Sequence, residues 1–447
     1  MVYHLVRFIF FLAIHNFYRI KVRHGNLVPT DKPLIIASNH TNAFLDSLSM
    51  AITIKQKMYS LPRGNIFLTS SKMLTWLFNE IRMIPIFRKL EGSEHLKRND
   101  ETFERCFQII KDKGTIHIYP EAICIYERRL KSIKKGAARI LLGAEERNGF
   151  SLGSQVIICG LIYEEASRFN SNLLFNFSRP FSIDQSIAIY KENNVLGINH
   201  LSNLIGEKML PNMVHIENKQ LDQLVSQVEI VYKTDLCAQY GFNQRNQSHG
   251  FFLSREIANG INFHYQLNPD HLFEVGGKLS SYLNGLKTLG VKDHQVYGFS
   301  YMRTLLYSIA FLLFSPLYVW GMLNHLIPLL ACQRIADNVV KRIEFRGSVL
   351  LLSWVCILLV YYPLMILLSY LITKSLVISV IYGMTLPILG RIAFLFSRAC
   401  VELGSDILFM IKSLGIRIKI REFKSQREKV LTDLNYLKNE YRNRHTK

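Results

Sequence analysis

The apolar residues in the first half of the chain fall into short runs that alternate with amphipathic segments. Runs rich in β-branched residues occupy positions 34–37, 116–119 and 156–159. Helical spacing of apolar residues covers positions 72–80 and 100–112, between the first two runs. Because strands that alternate with helices are typical of parallel sheets, this pattern predicts an α/β domain with a central, mostly parallel sheet flanked by helices.

Shifts in composition divide the chain further. We expect an interfacial membrane-anchoring segment at 1–32, the α/β domain at 33–194 and a helical lobe without an assigned role at 195–303. Residues 304–400 form a predicted membrane region, and residues 401–447 form a basic helical tail. The predicted architecture is therefore an α/β domain followed by a helical lobe and C-terminal transmembrane helices.

The N-terminus contains an apolar run that is too short to cross a bilayer. Residues 8–14 are apolar, and Arg7, Arg19 and Lys21 flank them. No small-residue cleavage site follows, as a signal peptide would require. We therefore predict that residues 1–22 form an amphipathic helix in the membrane interface; a first helix packed in the core is the alternative.

Three apolar stretches lie toward the C-terminus. Residues 347–373 and about 375–397 are long enough to span a bilayer, whereas residues 304–331 contain Pro316 and Pro328. We predict that the proline-containing stretch is re-entrant and that the other two cross. Because basic segments near spans stay cytoplasmic, this topology keeps the basic loop before the first span, the basic tail and the N-terminal domain on the cytoplasmic face.

Composition narrows the classes of protein to consider. The chain has 447 residues with 54 Lys and Arg, 34 Asp and Glu, a net charge of +20 and 49% hydrophobic residues. It is too apolar for a disordered chain. The basic residues of the tail interleave with acidic ones and follow predicted spans, so an anionic membrane leaflet explains the charge better than nucleic acid does. The seven cysteines are scattered without C-x-x-C spacing, which predicts neither a disulfide framework nor a zinc site.

The first candidate for chemistry is the segment 39–46, NHTNAFLD, which follows a predicted strand. A neutral His40 imidazole at this place can take a proton from a hydroxyl, and the Asp46 carboxylate can orient the ring and stabilise the imidazolium. Asn42 is the predicted N-cap of the helix that follows. The spacing alone also fits a chance occurrence, since the chain has 14 histidines.

Two further segments add charged candidates. Arg88 ends the run RMIPIFR, and its guanidinium can hold a phosphate with two hydrogen bonds; a surface arginine is the alternative. Glu121 follows a predicted strand end, where side chains of α/β folds reach ligands. Lys134 and Lys135, followed by a small-residue helix start at Gly136, can bind phosphate through charge and a helix N-terminus; a solvated basic loop is the alternative.

The order and spacing of these segments resemble the glycerolipid acyltransferase superfamily, which includes the lysophosphatidic-acid acyltransferases. The blocks of that superfamily are N-H-x4-D, I-P-x-x-R, F-P-E-G followed by K-x-G-A-A-R, and a V-P-V-like strand. The corresponding segments here are NHTNAFLD, IPIFR, YPEA followed by KKGAAR, and VII. The form of the first block is similar to the yeast-type glycerol-3-phosphate/dihydroxyacetone-phosphate acyltransferases and their bacterial relatives.

The resemblance implies a role for each candidate. His40 would be the general base on an acceptor hydroxyl, Asp46 its orienting partner, and Arg88 the group that holds the acceptor phosphate. The residues that would shape the acceptor site or assist there are Glu121, Lys134, Lys135 and Gly136. The implied acyl donor is a thioester of coenzyme A or acyl carrier protein, and the acceptor is glycerol-3-phosphate or 1-acyl-glycerol-3-phosphate. No metal or redox cofactor is expected.

The chain departs from the family pattern in three places. Five residues instead of four separate His40 from Asp46, so the extra residue must be absorbed before the helix begins. Ala122 replaces a glycine, which costs stability if the position needs a positive φ, and Ile157 replaces a proline. Two alternatives stay open: an acyltransferase for another lysolipid, and a catalytically weak lipid-binding scaffold of the same fold, which Ala122 favours.

Overall fold

A computed structural model describes residues 2–87, 98–413 and 415–445. Within it the chain forms two compact units, each of which is discontinuous in sequence. The N-terminal unit consists of Met1–Val214 together with Ala336–Leu352. The C-terminal unit consists of the remaining two segments, from His215 to Ile335 and from Ser353 to the C-terminus.

The N-terminal unit is built on a sheet of seven strands in the order β1-β6-β5-β2-β4-β3, with β7 paired to β5. Four pairings are parallel, whereas β5 is antiparallel to β6 and β7. The strands are β1 Tyr18–Arg23, β2 Leu34–Ser38, β3 Met58–Ser60, β4 Thr115–Ile118, β5 Gln155–Tyr163, β6 Ser171–Phe177 and β7 Phe181–Ser182. The predicted α/β fold with a mostly parallel sheet is confirmed.

Helices cover this sheet on both faces. Every residue of β2 and β4 is buried, as expected for central parallel strands that carry unbroken apolar runs. One face packs on α5 to α8, in a core that includes Ile110, Leu141 and Ile205. The helices are α1 Val2–Phe17, α2 Ala43–Thr53, α3 Asn65–Thr69, α4 Lys72–Glu80, α5 Arg98–Lys111, α6 Gly136–Arg147, α7 Asp184–Glu192 and α8 Asn194–Met209.

The N-terminal helix is shorter than expected. We predicted a helix over 1–22, but α1 ends at Phe17 and residues 18–22 belong to β1, which pairs in parallel with β6. The reason is the alternation of apolar and basic residues in YRIKVR, which has the period of a strand. Tyr18 is buried and its hydroxyl donates a hydrogen bond to the Ala166 carbonyl.

The C-terminal unit is helical. Within the described residues, three helical segments are long and apolar enough, by length and composition, to cross a membrane: Tyr301–Val339, Ile343–Thr373 and Leu376–Ser413. They indicate membrane association. The helices that lie wholly or mainly in this unit are α9 Asp222–Gln239, α10 Gln247–Leu267, α11 Pro269–Leu289, α12 Asp293–Tyr297, α13 Tyr301–Val339, α14 Arg346–Thr373, α15 Leu376–Ser413 and α16 Arg417–His445.

The structure corrects the predicted re-entrant hairpin at 304–331. Helix α13 continues through Pro316 and Pro328 for 39 residues, which is about 58 Å at 1.5 Å per residue. A proline removes one backbone hydrogen bond, but in apolar surroundings a helix remains the only way to pair the other backbone groups, so it persists through prolines. Helix α15 likewise continues past residue 397, the predicted end of the last span.

The basic tail packs within its own unit. Arg427 of α16 is buried, and its guanidinium donates hydrogen bonds to Asp235 of α9 and Asp293 of α12. Leu434 and Leu437 are buried on the same helix. The sequence left open whether this helix contacts the domain, the membrane or another chain, and it packs on the helical lobe.

Candidate active site

The candidate site lies where β2 and β4 end, at the carboxyl edge of the parallel strands. His40 follows β2, and Asp46 lies in the first turn of α2. His40 Nδ1 is 2.8 Å from Asp46 Oδ2, and the Asp46 side chain is fully buried. A carboxylate at Nδ1 holds the proton on that nitrogen, so Nε2 is the nitrogen that can accept a proton. The two residues that the sequence paired are therefore in direct contact.

The extra residue between His40 and Asp46 was expected to be absorbed before the helix begins, around Thr41 and Asn42, and this stays a prediction. Ala43 has a φ of 41°, so the chain makes a left-handed step as α2 starts. The Asp46 carboxylate then accepts hydrogen bonds from the backbone N–H groups of Thr41 (2.9 Å) and Asn42 (2.8 Å). Asn42 occupies the predicted N-cap position, but its side chain donates instead to Tyr18 and to a backbone carbonyl.

Two neighbours fix this loop to the sheet. The Asn39 side chain donates to the Leu161 carbonyl (3.0 Å) and accepts from the Leu161 N–H (2.7 Å), which pins the residue before His40 to β5. Tyr163, farther along β5, donates its hydroxyl proton to Asp46 Oδ1 at 2.7 Å. Asp46 thus accepts four hydrogen bonds, and both of its oxygens are occupied.

An aromatic ring covers His40. The Tyr119 ring stacks on the imidazole with centroids 3.8 Å apart and an interplanar angle of 13°. The hydroxyl of Tyr119 is 2.9 Å from Ser47 Oγ, and burial raises the pKa of Tyr119 well above its usual value. Sequence reasoning missed Tyr119 and Tyr163. Tyr119 stands where the family block has phenylalanine, which was the available signal, whereas Tyr163 has none.

A second histidine, His117, lies in β4 two residues before Tyr119. His117 Nε2 is 2.6 Å from Ser38 Oγ, within the buried part of β4. Burial, and to a smaller degree the nearby His40, lower the pKa of His117 to about 3. His117 is therefore neutral at physiological pH, and it adds no charge beside His40.

His40 faces a cavity of about 320 Å³. Its walls are mainly apolar, and they include Phe44, Ile66, Met83, Ile86, Phe87, Ile118 and Phe345. Three basic side chains also line it: Arg63, Lys134 and Arg342. No acidic side chain is found among the lining residues that the structure describes. The cavity thus combines a proton acceptor, an apolar wall and positive charge.

The predicted substrate-binding residues divide into three groups. Lys134 and Gly136 line the cavity. Lys135 and Glu121 are not among the lining residues that the structure describes. Arg88 lies outside the described residues, and Phe87, immediately before it, lines the cavity. Sequence reasoning missed Arg63, and it considered Arg342 only as a topology signal.

Glu121 organises the loop after β4. It is buried, and its Oε2 accepts a hydrogen bond from the Lys131 backbone N–H at 3.0 Å. Burial raises the pKa of Glu121 to about 7, and the hydrogen bond and charge of Lys131 lower it only in part. The Lys134 N–H donates to the Pro120 carbonyl at 2.8 Å. Through these bonds the YPEA segment sets the position of the basic loop.

Ala122 adopts the conformation that its replacement of glycine put in question. Its φ is 53°, in the left-handed region, so the position does favour glycine. Ala122 nevertheless lies in the cavity wall, and the cavity beside it is open. No group of three or more His, Cys, Asp or Glu side chains arranged for a metal is found in the described ranges; that the protein needs no cofactor stays a prediction.

Comparison with known proteins supports the resemblance. The family model for acyltransferases matches residues 19–163, about a third of the chain, including the whole His40–Asp46 segment. Residues 19–163 are similar to the acyltransferase family. The resemblance to the glycerolipid acyltransferases is thereby confirmed for this acyltransferase domain.

Named relatives match shorter stretches of the chain. A chloroplastic 1-acyl-sn-glycerol-3-phosphate acyltransferase of Arabidopsis thaliana is 25% identical over 127 residues, 28% of this chain and 33% of the relative. A glycerol-3-phosphate O-acyltransferase of Saccharomyces cerevisiae is 30% identical over 96 residues, 21% of this chain and 13% of the relative. The chain therefore spans about a third or less of the length of the curated relatives it matches.

A solved structure is also similar to part of the chain. The 1-acyl-sn-glycerophosphate acyltransferase PlsC from Thermotoga maritima is 11% identical, with a TM-score of 0.31. The alignment covers 46% of this chain and 79% of the PlsC chain.

Ala122→Gly should stabilise the protein. An alanine in the left-handed region costs about 1–2 kcal/mol, and the greater freedom of glycine in the unfolded chain offsets part of the gain. We expect a net gain of up to about 1 kcal/mol, measured as a higher midpoint of thermal unfolding in detergent. Ala144→Gly in the middle of α6 is the control and should lose about 1 kcal/mol or more. A loss of stability in both variants would contradict the strain at Ala122.

Glu121 should make stability depend on pH. Because its folded pKa of about 7 lies above the ordinary value of 4.5, the folded state binds the proton more tightly, and stability falls as pH rises through that window. The loss is up to about 3 kcal/mol at roughly 1.4 kcal/mol per pKa unit. Glu121→Gln keeps an acceptor for Lys131 and should lack this loss. The free energy of unfolding would be measured from pH 5 to pH 8. Toward pH 8 it should fall in wild type and not in Glu121→Gln, and the same pH dependence in both proteins would rule out the effect.

Proposed function

We propose that this protein is a membrane-bound O-acyltransferase of glycerolipid synthesis. It moves a fatty acyl group from a thioester of coenzyme A or acyl carrier protein to a hydroxyl of glycerol-3-phosphate or 1-acyl-glycerol-3-phosphate. The observation that carries this proposal is the contact between His40 and Asp46, with His40 facing a cavity that has apolar walls and three basic side chains. The named relatives act on the same two acceptors and support it.

The geometry suits His40 to the role of general base. As the acceptor hydroxyl oxygen attacks the thioester carbonyl carbon, Nε2 takes the hydroxyl proton, the carbon–sulfur bond breaks, and the proton passes to the leaving thiolate. Asp46 stabilises the imidazolium that forms between these steps. Because its oxygens are also held by Thr41, Asn42 and Tyr163, the carboxylate stays in place as the charge on the ring changes.

The cavity has surfaces suited to both an acyl chain and the phosphate of the acceptor. Its apolar wall can pack against an acyl chain, because apolar surfaces are buried together. Lys134 contributes positive charge for the acceptor phosphate, and Arg88 retains its predicted role there. An acceptor that lacks a phosphate would leave these cations without a partner, so a phosphate-bearing lysolipid or glycerol phosphate is favoured over other lysolipids.

A catalytically weak scaffold is the second candidate. The left-handed φ of Ala122 favours it, because strain in the YPEA segment could displace the basic loop. Against it, the His40 imidazole is held in one orientation and the cavity beside it is open. A protein that only bound lipid would gain nothing from an oriented proton acceptor.

His40→Ala should lower turnover by about 100- to 10,000-fold, the usual contribution of a general base. Purified, detergent-solubilised protein would be assayed with radiolabelled glycerol-3-phosphate and 1-acyl-glycerol-3-phosphate, each with acyl-CoA and acyl-carrier-protein donors. Product from one acceptor that disappears in the variant would identify the reaction. Near-normal turnover in well-folded His40→Ala would remove His40 from the role of base, and no product from any pairing with wild type would favour the scaffold.

The position of the segment between α13 and α14 bears on topology. Residues 336–352 belong to the same compact unit as the acyltransferase domain, which supports placing both on one side of the membrane, proposed to be the cytoplasmic face. In this topology α13, which lies between them in sequence, does not carry the chain across the bilayer. Lys341, in this segment, and Lys374, between α14 and α15, are both exposed. Because α14 separates them, a helix that crosses the bilayer puts them on opposite sides.

Lys341→Cys and Lys374→Cys therefore form a matched pair for labelling with a membrane-impermeant maleimide. In sealed cells we expect label on position 374 and none on position 341 until the membrane is opened, with wild type giving the background from the native cysteines. Label on position 341 in sealed cells would overturn the proposed topology. Equal labelling of both positions in sealed cells would mean that α14 does not cross.

A further inference from the structure

A segment far from the acyltransferase domain in sequence completes its cavity. Residues 336–352, which connect two apolar helices, belong to the N-terminal unit. This segment contributes Arg342 and Phe345 to the cavity that His40 faces. It lies well outside residues 19–163, the part of the chain that matches the acyltransferase family.

The segment is anchored at the start of the catalytic helix. Ser348 is buried, and its hydroxyl donates to the Asn42 carbonyl (2.9 Å) and accepts from the Leu45 N–H (3.0 Å). Asn42 precedes α2, and Leu45 lies in its first turn, which also carries Asp46. Gly347 approaches the same place so closely that a Cβ atom there would lie 2.5 Å from the Ala166 carbonyl oxygen. These contacts fix where the residues before Ser348 lie.

Arg342 is held by one edge of its guanidinium. Its Nη2 donates to the Cys124 carbonyl at 2.8 Å and contacts Glu344 Oε1 at 3.3 Å. The guanidinium carbon is 5.8 Å from the centre of the Phe345 ring. Every hydrogen bond that Arg342 makes to the described part of the chain uses Nη2, so Nε and Nη1 have donors to spare.

The carbonyl that holds Arg342 belongs to a loop in contact with the catalytic residue. Cys124 Sγ accepts a hydrogen bond from the Ala43 N–H (3.2 Å), and the N–H of Ile125 donates to the His40 carbonyl (3.2 Å). Arg342 is therefore tied through one short loop to both His40 and the start of α2. Hydrogen bonds through this loop therefore fix the position of the Arg342 guanidinium relative to His40.

The positive charge of the cavity wall favours an anionic ligand. Arg63, Lys134 and Arg342 line it, and the described residues of its wall include no acidic side chain. Glu344 contacts Arg342 from outside the wall and offsets part of one charge. A phosphate monoester carries nearly two negative charges and accepts hydrogen bonds on several oxygens, which matches a planar guanidinium with free donors.

We propose that Arg342 binds the phosphate of the acyl acceptor, so that the connection between two apolar helices forms part of the substrate site. This inference rests on the proposed function, and it adds a binding residue that the acyltransferase domain itself lacks. The donor thioesters also carry phosphate, so the test has to distinguish the two substrates.

The experiment compares Arg342→Gln with wild type in the full-length, detergent-solubilised protein. Glutamine keeps an amide that can donate to the Cys124 carbonyl but has no charge. We expect the acceptor KM to rise about 10- to 100-fold, as for the loss of a charge-assisted hydrogen bond. The donor KM and kcat should change less than about threefold. Arg342→Lys should recover part of the affinity because it restores charge without the planar fork.

Lys341→Ala is the matched control, because Lys341 is an exposed cation next to Arg342 that is not among the described lining residues. Its acceptor KM should match that of wild type. An unchanged acceptor KM in Arg342→Gln would overturn the proposal, and a rise in the donor KM alone would assign Arg342 to the donor phosphate instead. If Arg342→Gln lowered both kcat and the midpoint of thermal unfolding, with an unchanged acceptor KM, the role of Arg342 would be purely structural.

Binding without turnover separates this inference from the proposed function. Calorimetry would measure the affinity of glycerol-3-phosphate and of inorganic phosphate for wild type, Arg342→Gln and Lys341→Ala. Weaker binding by Arg342→Gln alone supports the phosphate site even if no acyl transfer is found, in which case only the proposed function fails. Equal binding by all three proteins, or none by wild type, overturns the inference even where wild type transfers acyl groups.

Discussion

The buried carboxylate of Asp46 is the point on which the rest of the site depends. Burying a charge is costly unless hydrogen bonds replace the lost water, and Asp46 accepts four of them. These bonds join the loop after β2, the first turn of α2 and the end of β5. One side chain therefore orients His40, satisfies two N–H groups at the start of a helix and ties that helix to the sheet.

The same loop connects His40 and Asp46 to a distant part of the chain. The Asn42 N–H donates to Asp46, and its carbonyl accepts from Ser348. The loop around His40 is thus bonded on one side to the carboxylate and on the other to the segment that follows α13. A displacement of that segment would act on the residues that position His40, because the N–H of Asn42 bonds to the carboxylate and the carbonyl of Asn42 bonds to Ser348.

The sequence was informative where local pattern decides structure. The buried strands with apolar runs, and the place of His40 and Asp46 between a strand and a helix, followed from periodicity. It failed where two local patterns competed: YRIKVR was assigned to a helix although its period is that of a strand, and the prolines of α13 suggested a break that the helix does not make. Tyr163 and Arg342 could not be found, because each acts through a long-range contact that leaves no local signature.

Arg342 lies in the cavity wall but outside the region that matches the acyltransferase family. The matched family region ends at residue 163, and it contains the proton acceptor with its carboxylate partner. The wall of the cavity is incomplete without residues from 336–352, which enter the site because Ser348 and Gly347 fit closely against the start of α2. The proposed role of Arg342 would make acceptor binding depend on a residue that a comparison of the acyltransferase domain alone leaves out, because a charged group binds an anion more strongly than an apolar wall does.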